Sequence, residues 1–148
     1  IRGGIDVGLG INITRDEVYG PALERAYHLE SCIARFPRIV VGDELWNYLN
    51  MVESQHPQSL FGKRAIWFAS FTKKLITTDL DGLRILNFLA DQNAESLSAD
   101  DRRELFLSAH NYVDEQHACW EERKNERLRD GYSRLREYFE AHRQSWEN

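Results

Sequence analysis

Across a single Gly20-Pro21 pair, the hydrophobic period of the chain changes from two to that of a helix, and this change dominates the stretch Arg2–Glu44. Ile5, Val7, Leu9, Ile11 and Ile13 alternate with Asp6, Gly8, Gly10 and Asn12, which predicts a strand with one buried face. Thr14–Glu17 is polar and turn-like, so Val18-Tyr19 is expected to return as a short paired strand. Proline at the first helical position loses no hydrogen bond, and Ala22, Ala26, Leu29 and Ile33 then form an apolar stripe with Leu23 beside it. Pro37 ends that helix. Ile39-Val40-Val41 reads as a central strand, and Gly42-Asp43 as the cap of a helix over 44–52.

Downstream the pattern is less regular. Residues 56–62, with Pro57, read as a loop, and 65–71 as an aromatic stretch of mixed character. Residues 73–78 read as a strand, 79–82 as a turn, and 83–89 as a strand or a helical turn. Ser98 with Asp101 resembles a capping box, and the chain is expected to be helical from there to Trp146, with a break at Gly131. Leu105, Ala109, Tyr112, Val113 and Trp120 mark one stripe. Leu128, Tyr132, Leu135, Phe139, His142 and Trp146 form a heptad-like seam, suited to packing on the chain's own domain or on a partner subunit.

The net charge of −5 argues against a general nucleic-acid binder. No apolar run approaches the roughly 20 residues that span a bilayer, so neither a nucleic-acid nor a membrane partner is expected. Cys32 and Cys119 read as free thiols in a reducing cytoplasm. The chain opens on Ile1-Arg2-Gly3-Gly4, inside an apparent strand and without Met, which leads us to expect a piece of a longer protein.

Gly4-Ile5, Gly8, Tyr19-Gly20, Ala26, Leu29-Glu30-Ser31, Ile39-Val40-Val41 and Glu44-Leu45 together resemble the second half of class III nucleotidyl cyclase domains. Within that class, Arg2-Gly3-Gly4-Ile5, Tyr19-Gly20-Pro21-Ala22-Leu23, Ala26-Tyr27, Leu29-Glu30 and Pro37–Val41 look most like the bacterial Pycsar-type pyrimidine cyclases. The likeness covers about the first 45 residues, with Asp79, Asp81-Gly82 and Leu86–Leu89 as a weak extension. It implies an α/β (α+β) fold with a ferredoxin-related antiparallel sheet over residues 1–92, followed by a helical extension over 93–148. It implies conversion of UTP or CTP to cyclic UMP or cyclic CMP and pyrophosphate, as a messenger in anti-phage defence read by a separate effector protein. It also implies a homodimer and Mg²⁺ or Mn²⁺ held by two aspartates, which in the family precede the present start. A catalytically silent nucleotide-binding or dimerisation module is the alternative.

Where adenylate and guanylate cyclases place base-reading, ribose-orienting and phosphate-stabilising residues, the resemblance puts Pro21, Glu24 and His28. These departures fit a rebuilt base pocket. Arg2 is the expected catalytic residue, a planar cation suited to phosphate or a pyrimidine carbonyl; its structural alternative is an ion pair with Glu30. Gly20, Glu24, Tyr27 and His28 are the expected substrate-binding residues, with Gly20 presenting helix N–H groups and Tyr27 a ring for the base. Asp6 matches neither metal position, and Asp79 and Asp81 read as solvated turn residues. A rival constellation, His110, Asp114 and His117 on one helix face, has spacing that suits metal ligands, or simply a polar face of a partly exposed helix.

Overall fold

The computed structural model describes residues 2–14, 17–95 and 97–147. It divides into two compact units, Ile1–Asn87 and Phe88–Asn148.

The first unit is mixed α/β. Four strands, β1 (Gly3–Ile5), β4 (Ile39–Val41), β5 (Ile76–Thr78) and β6 (Arg84–Leu86), form a sheet in the order β1-β4-β6-β5. The strands β2 (Ile11–Thr14) and β3 (Glu17–Tyr19) form a separate antiparallel ribbon. The sheet is mixed, not wholly antiparallel. β1 runs parallel to β4, while β6 is antiparallel to both β4 and β5. Parallel pairing requires a long crossover, supplied here by the ribbon, α1 (Pro21–His28) and a π-helical turn over Leu29–Ile33. A Cβ at Gly4 would lie 2.4 Å from the Ala26 carbonyl oxygen, so glycine lets β1 and α1 approach closely.

β4 occupies the central position expected of its apolar sequence, and Val40 and Val41 are buried with Ile85. The period-two run from Ile5 to Ile13 is not one strand, however. It leaves the sheet after Ile5 and pairs again from Ile11. Asp6 accounts for the departure: its carboxylate turns inward to accept from Leu45 N–H, Val7 N–H and Arg25 Nε. Leu9, the middle of the expected strand, is 81% exposed.

Two helices complete the unit, α2 (Asp43–Glu53) and α3 (Leu60–Lys74). Leu49 and Val52 pack on Ala69, with Leu45, Ala65, Ile66 and Ile76 around them. Residues 56–78 depart from the expected loop over 56–62, mixed stretch over 65–71 and strand over 73–78. Ser59 accepts the Gly62 N–H at 3.1 Å and starts a helix that continues through Lys74, leaving only Ile76–Thr78 as strand. Residues 79–82 turn as expected, with Gly82 at φ 82°.

The second unit is helical: α4 (Asp91–Ala94), α5 (Ala99–Glu122) and α6 (Glu126–Glu147). Ser98 Oγ accepts the Asp101 N–H and caps α5 as expected. The helix break falls at Lys124, at φ 54°, and not at Gly131, which lies buried inside α6. Of the expected α5 stripe, Val113 is buried and Ala109 packs against the core, but two positions differ. Phe106, His110 and Val113 are buried, while Leu105 and Tyr112 are exposed. The seam on α6 packs within its own chain. Phe139 and Trp146 join Phe106, Val113 and Leu89 in one core, flanked by Tyr132 and Leu135. Trp146 Nε1 donates to the Leu89 carbonyl and the Leu89 N–H donates to the Tyr138 hydroxyl, so residues from Phe88 onward are tied to α6. No helix among the described residues is long and apolar enough to cross a membrane.

Candidate functional site

An open depression of about 620 Å³ lies at the amino end of α1, lined by Tyr19, Gly20, Pro21, Leu23, Glu24 and Tyr27. Its shape begins with Gly20. At φ 143° this residue has a backbone that side chains rarely adopt, and a Cβ would lie 2.4 Å from the Leu9 carbonyl oxygen. The ribbon therefore folds tightly against the start of α1. The Gly20 carbonyl accepts from the Leu23 and Glu24 N–H groups, and no side chain caps the helix.

One turn apart on α1, Leu23 and Tyr27 carry apolar surface to the outside, 52% and 68% exposed, and Tyr19 adds a second ring from β3. Leu23 was expected to flank a buried stripe. In the structure α1 buries no residue completely, and Ala22, Ala26 and Leu29 are partly covered. The result is a mostly apolar concavity with two phenol groups and one carboxylate, Glu24. Arg25 is occupied elsewhere, donating from Nε to Asp6 and from Nη2 to the Val7 carbonyl. A depression with this lining suits a flat ring with N–H donors better than a chain of phosphates, which Glu24 would repel.

Three of the expected substrate-binding residues, Gly20, Glu24 and Tyr27, thus line one depression. His28 is on α1 but does not line it. Arg2 stands apart, donating from Nε and Nη2 to the same Glu30 oxygen at 3.0 and 2.8 Å. This is the structural pairing anticipated as its alternative, with both side chains about a third exposed.

Two charged clusters were not legible in the sequence. Asp79 and Asp81 are not freely solvated turn residues: they bracket the buried guanidinium of Arg38, at 2.5 and 2.7 Å. Arg38 also lies over the Phe36 ring at 4.2 Å. Burial alone would lower the Arg38 pKa, but its bonds to Asp81 and Asp79 override that and hold it above the usual arginine value. The second cluster is Asp6 with Arg25 and the amino end of α2. The only advance signals were the presence of Arg38 beside an apolar strand and of Asp6 within an alternating run.

The His110, Asp114 and His117 set resolves into bonds within α5 and between α5 and α6. His110 is buried, not partly exposed, with Nδ1 3.2 Å from Asp114 and Nε2 2.9 Å from Glu140. Asp114 also pairs with Arg136, and His117 bonds to Ser133. Among the described residues no group of three His, Cys, Asp or Glu side chains could hold a metal ion. Asp6, Asp79 and Asp81 are committed to arginines and backbone N–H groups, so these three aspartates do not fit the Mg²⁺ or Mn²⁺ pair that the resemblance implies. Comparison with protein-family models, curated proteins and solved structures gave no match.

Proposed function

We propose that the first unit forms the base-recognising wall of a nucleotidyl cyclase of class III type, acting on UTP or CTP. The observation that carries this reading is the depression itself. Gly20, Glu24 and Tyr27, named from the cyclase-like sequence pattern, meet in one concavity of a size suited to a nucleobase and its sugar. Tyr19 and Tyr27 can flank a pyrimidine ring, and Glu24 can accept from the cytosine amino group or the uracil ring N–H. The 3′-hydroxyl would then close on the α-phosphorus and expel pyrophosphate.

The metal-holding carboxylates lie outside this chain in this reading, and no step is assigned to Asp6, Asp79 or Asp81. A homodimer and a separate effector that reads the cyclic product in phage defence belong to the same proposal. A second reading is a module that binds a nucleotide or a partner without chemistry; the commitment of every first-unit aspartate just named to structural bonds favours it.

The test is incubation of the full protein with each of the four NTPs and Mn²⁺, followed by mass analysis. Cyclic UMP or cyclic CMP is the expected product, and Tyr27→Ala should weaken substrate binding by about 5- to 150-fold if the ring stacks on the base. Absence of any cyclic nucleotide, with saturable nucleotide binding retained, moves the chain to the second reading.

A further inference from the structure

The helix α3 is built inside out. Its inner face carries Ala65, Ile66 and Ala69, which pack on α2. Its larger apolar residues point away from that core. Leu60, Phe61, Trp67 and Phe68 are 68%, 84%, 60% and 59% exposed, and Phe71 is 39% exposed. At 100° per residue these five fall on one side of the helix, together with exposed Lys63, Arg64 and Lys74. The rings support each other, with Trp67 stacked on Phe71 at 5.5 Å and edge-on to Phe68 at 5.0 Å.

The electrostatics of this face differ from those of the rest of the molecule. The chain carries net −5, yet residues 60–74 contain four cations and no acid. Lys73 is paired with Glu53, whereas Lys63, Arg64 and Lys74 have no carboxylate partner among the described residues. A contiguous aromatic patch of this kind marks a docking surface. Aromatic residues and arginine also serve protein contacts, but lysine is depleted there, so Lys63 and Lys74 beside the rings tip the face towards a lipid phosphate partner. Tryptophan and phenylalanine at headgroup depth, with lysine and arginine stems reaching to lipid phosphates, fit an anionic bilayer surface.

We propose that the outward face of α3 is a peripheral docking surface for an anionic lipid bilayer. The chain lies on the membrane through this face and does not span it. This replaces the expectation that the chain has no membrane partner, which rested on the lack of a spanning segment. It does not depend on the cyclase reading.

The test is co-sedimentation of the full chain with vesicles of phosphatidylcholine alone and of phosphatidylcholine mixed with phosphatidylserine. Binding is expected to the anionic vesicles, with a blue shift in tryptophan emission that Trp67→Phe removes without abolishing binding. Lys63→Gln/Arg64→Gln/Lys74→Gln should reduce partitioning onto anionic vesicles about a hundredfold. Phe61→Ser/Phe68→Ser should abolish it with the circular dichroism spectrum unchanged; should that variant fail to fold, the charge triple decides alone. Equal partitioning onto neutral and anionic vesicles overturns the proposal. So does vesicle binding that the charge triple leaves intact. Absence of vesicle binding also overturns it, assigning the face to a second copy if the serine variant lowers the mass in solution, or to nucleic acid if the chain instead binds a polyuridylate oligomer.

Discussion

The Asp6 carboxylate closes the amino end of α2 by accepting the backbone N–H of Leu45 at 2.8 Å, across 39 residues of chain. This is helix capping performed by a residue outside the helix, since neither Gly42 nor any neighbour provides a side-chain cap. It also dictates Gly42. A Cβ there would sit 2.4 Å from the Asp6 carboxyl carbon.

Asp6→Ala leaves the Leu45 N–H without its acceptor and frees Arg25, and should cost about 2–3 kcal/mol of stability in urea unfolding. Gly42→Ala should cost about 1–3 kcal/mol by crowding the carboxylate. Because the two act on the same atoms, Gly42→Ala should cost much less in the Asp6→Ala background. Additive losses would show that a side chain at residue 42 does not crowd the Asp6 carboxylate.

Arg38 and its two aspartates predict a different pattern. Arg38 is almost entirely buried, so removing both carboxylates strands a cation in the protein interior. Asp79→Asn/Asp81→Asn should cost about 3–5 kcal/mol, and adding Arg38→Met should restore most of that loss. If the triple variant is no more stable than the double, the guanidinium is not what the aspartates serve.

These two clusters show where sequence reading stopped. Val40 and Val41 were legible as a central strand because a run of apolar β-branched residues has few other uses. The α6 seam was legible because its 4-3 spacing survives any tertiary context, and Phe139 and Trp146 are buried as that spacing requires. Arg38, by contrast, is partnered by residues 41 and 43 positions away, a relationship with no local trace. The α5–α6 break was misplaced because glycine propensity outweighs a buried helix position only when packing is ignored; Lys124 takes the positive φ instead. The helix α3 was missed because aromatics occupy its exposed side, which removes the usual contrast between faces. In the candidate site, Gly20 was legible from its Gly-Pro pair, whereas the pairing that holds Arg2 on Glu30 was one of two open alternatives.

Acid should loosen the helical unit. Glu140 accepts from Arg143 and from His110, and the Arg143 bond chiefly holds its carboxyl below the ordinary value of 4.5. A carboxylate depressed in the folded state contributes stability at pH above its unfolded value, lost as pH falls through its folded value. The melting temperature should therefore fall on acidification below 4.5. Glu140→Gln should fall less steeply over the same window, because glutamine has no proton to gain. Parallel curves for the two proteins would remove Glu140 as a source of acid sensitivity.

Arg2 separates structural from functional roles cleanly because its ion pair is exposed. The side chains of Arg2 and Glu30 are 38% and 34% accessible, and such pairs contribute about 0–1 kcal/mol. Arg2→Ala should therefore leave the melting temperature almost unchanged. If Arg2 serves the nucleotide in the full protein, the same substitution should abolish cyclic nucleotide formation, since no other group supplies its two-donor fork at that position. Glu30→Gln then discriminates further. It weakens the hold on Arg2 without removing the cation, so it should preserve or raise activity if Arg2 must leave Glu30 to reach substrate. Retention of full activity in Arg2→Ala would assign the arginine to its pair with Glu30 alone and leave Gly20, Glu24 and Tyr27 as the nucleotide-facing set.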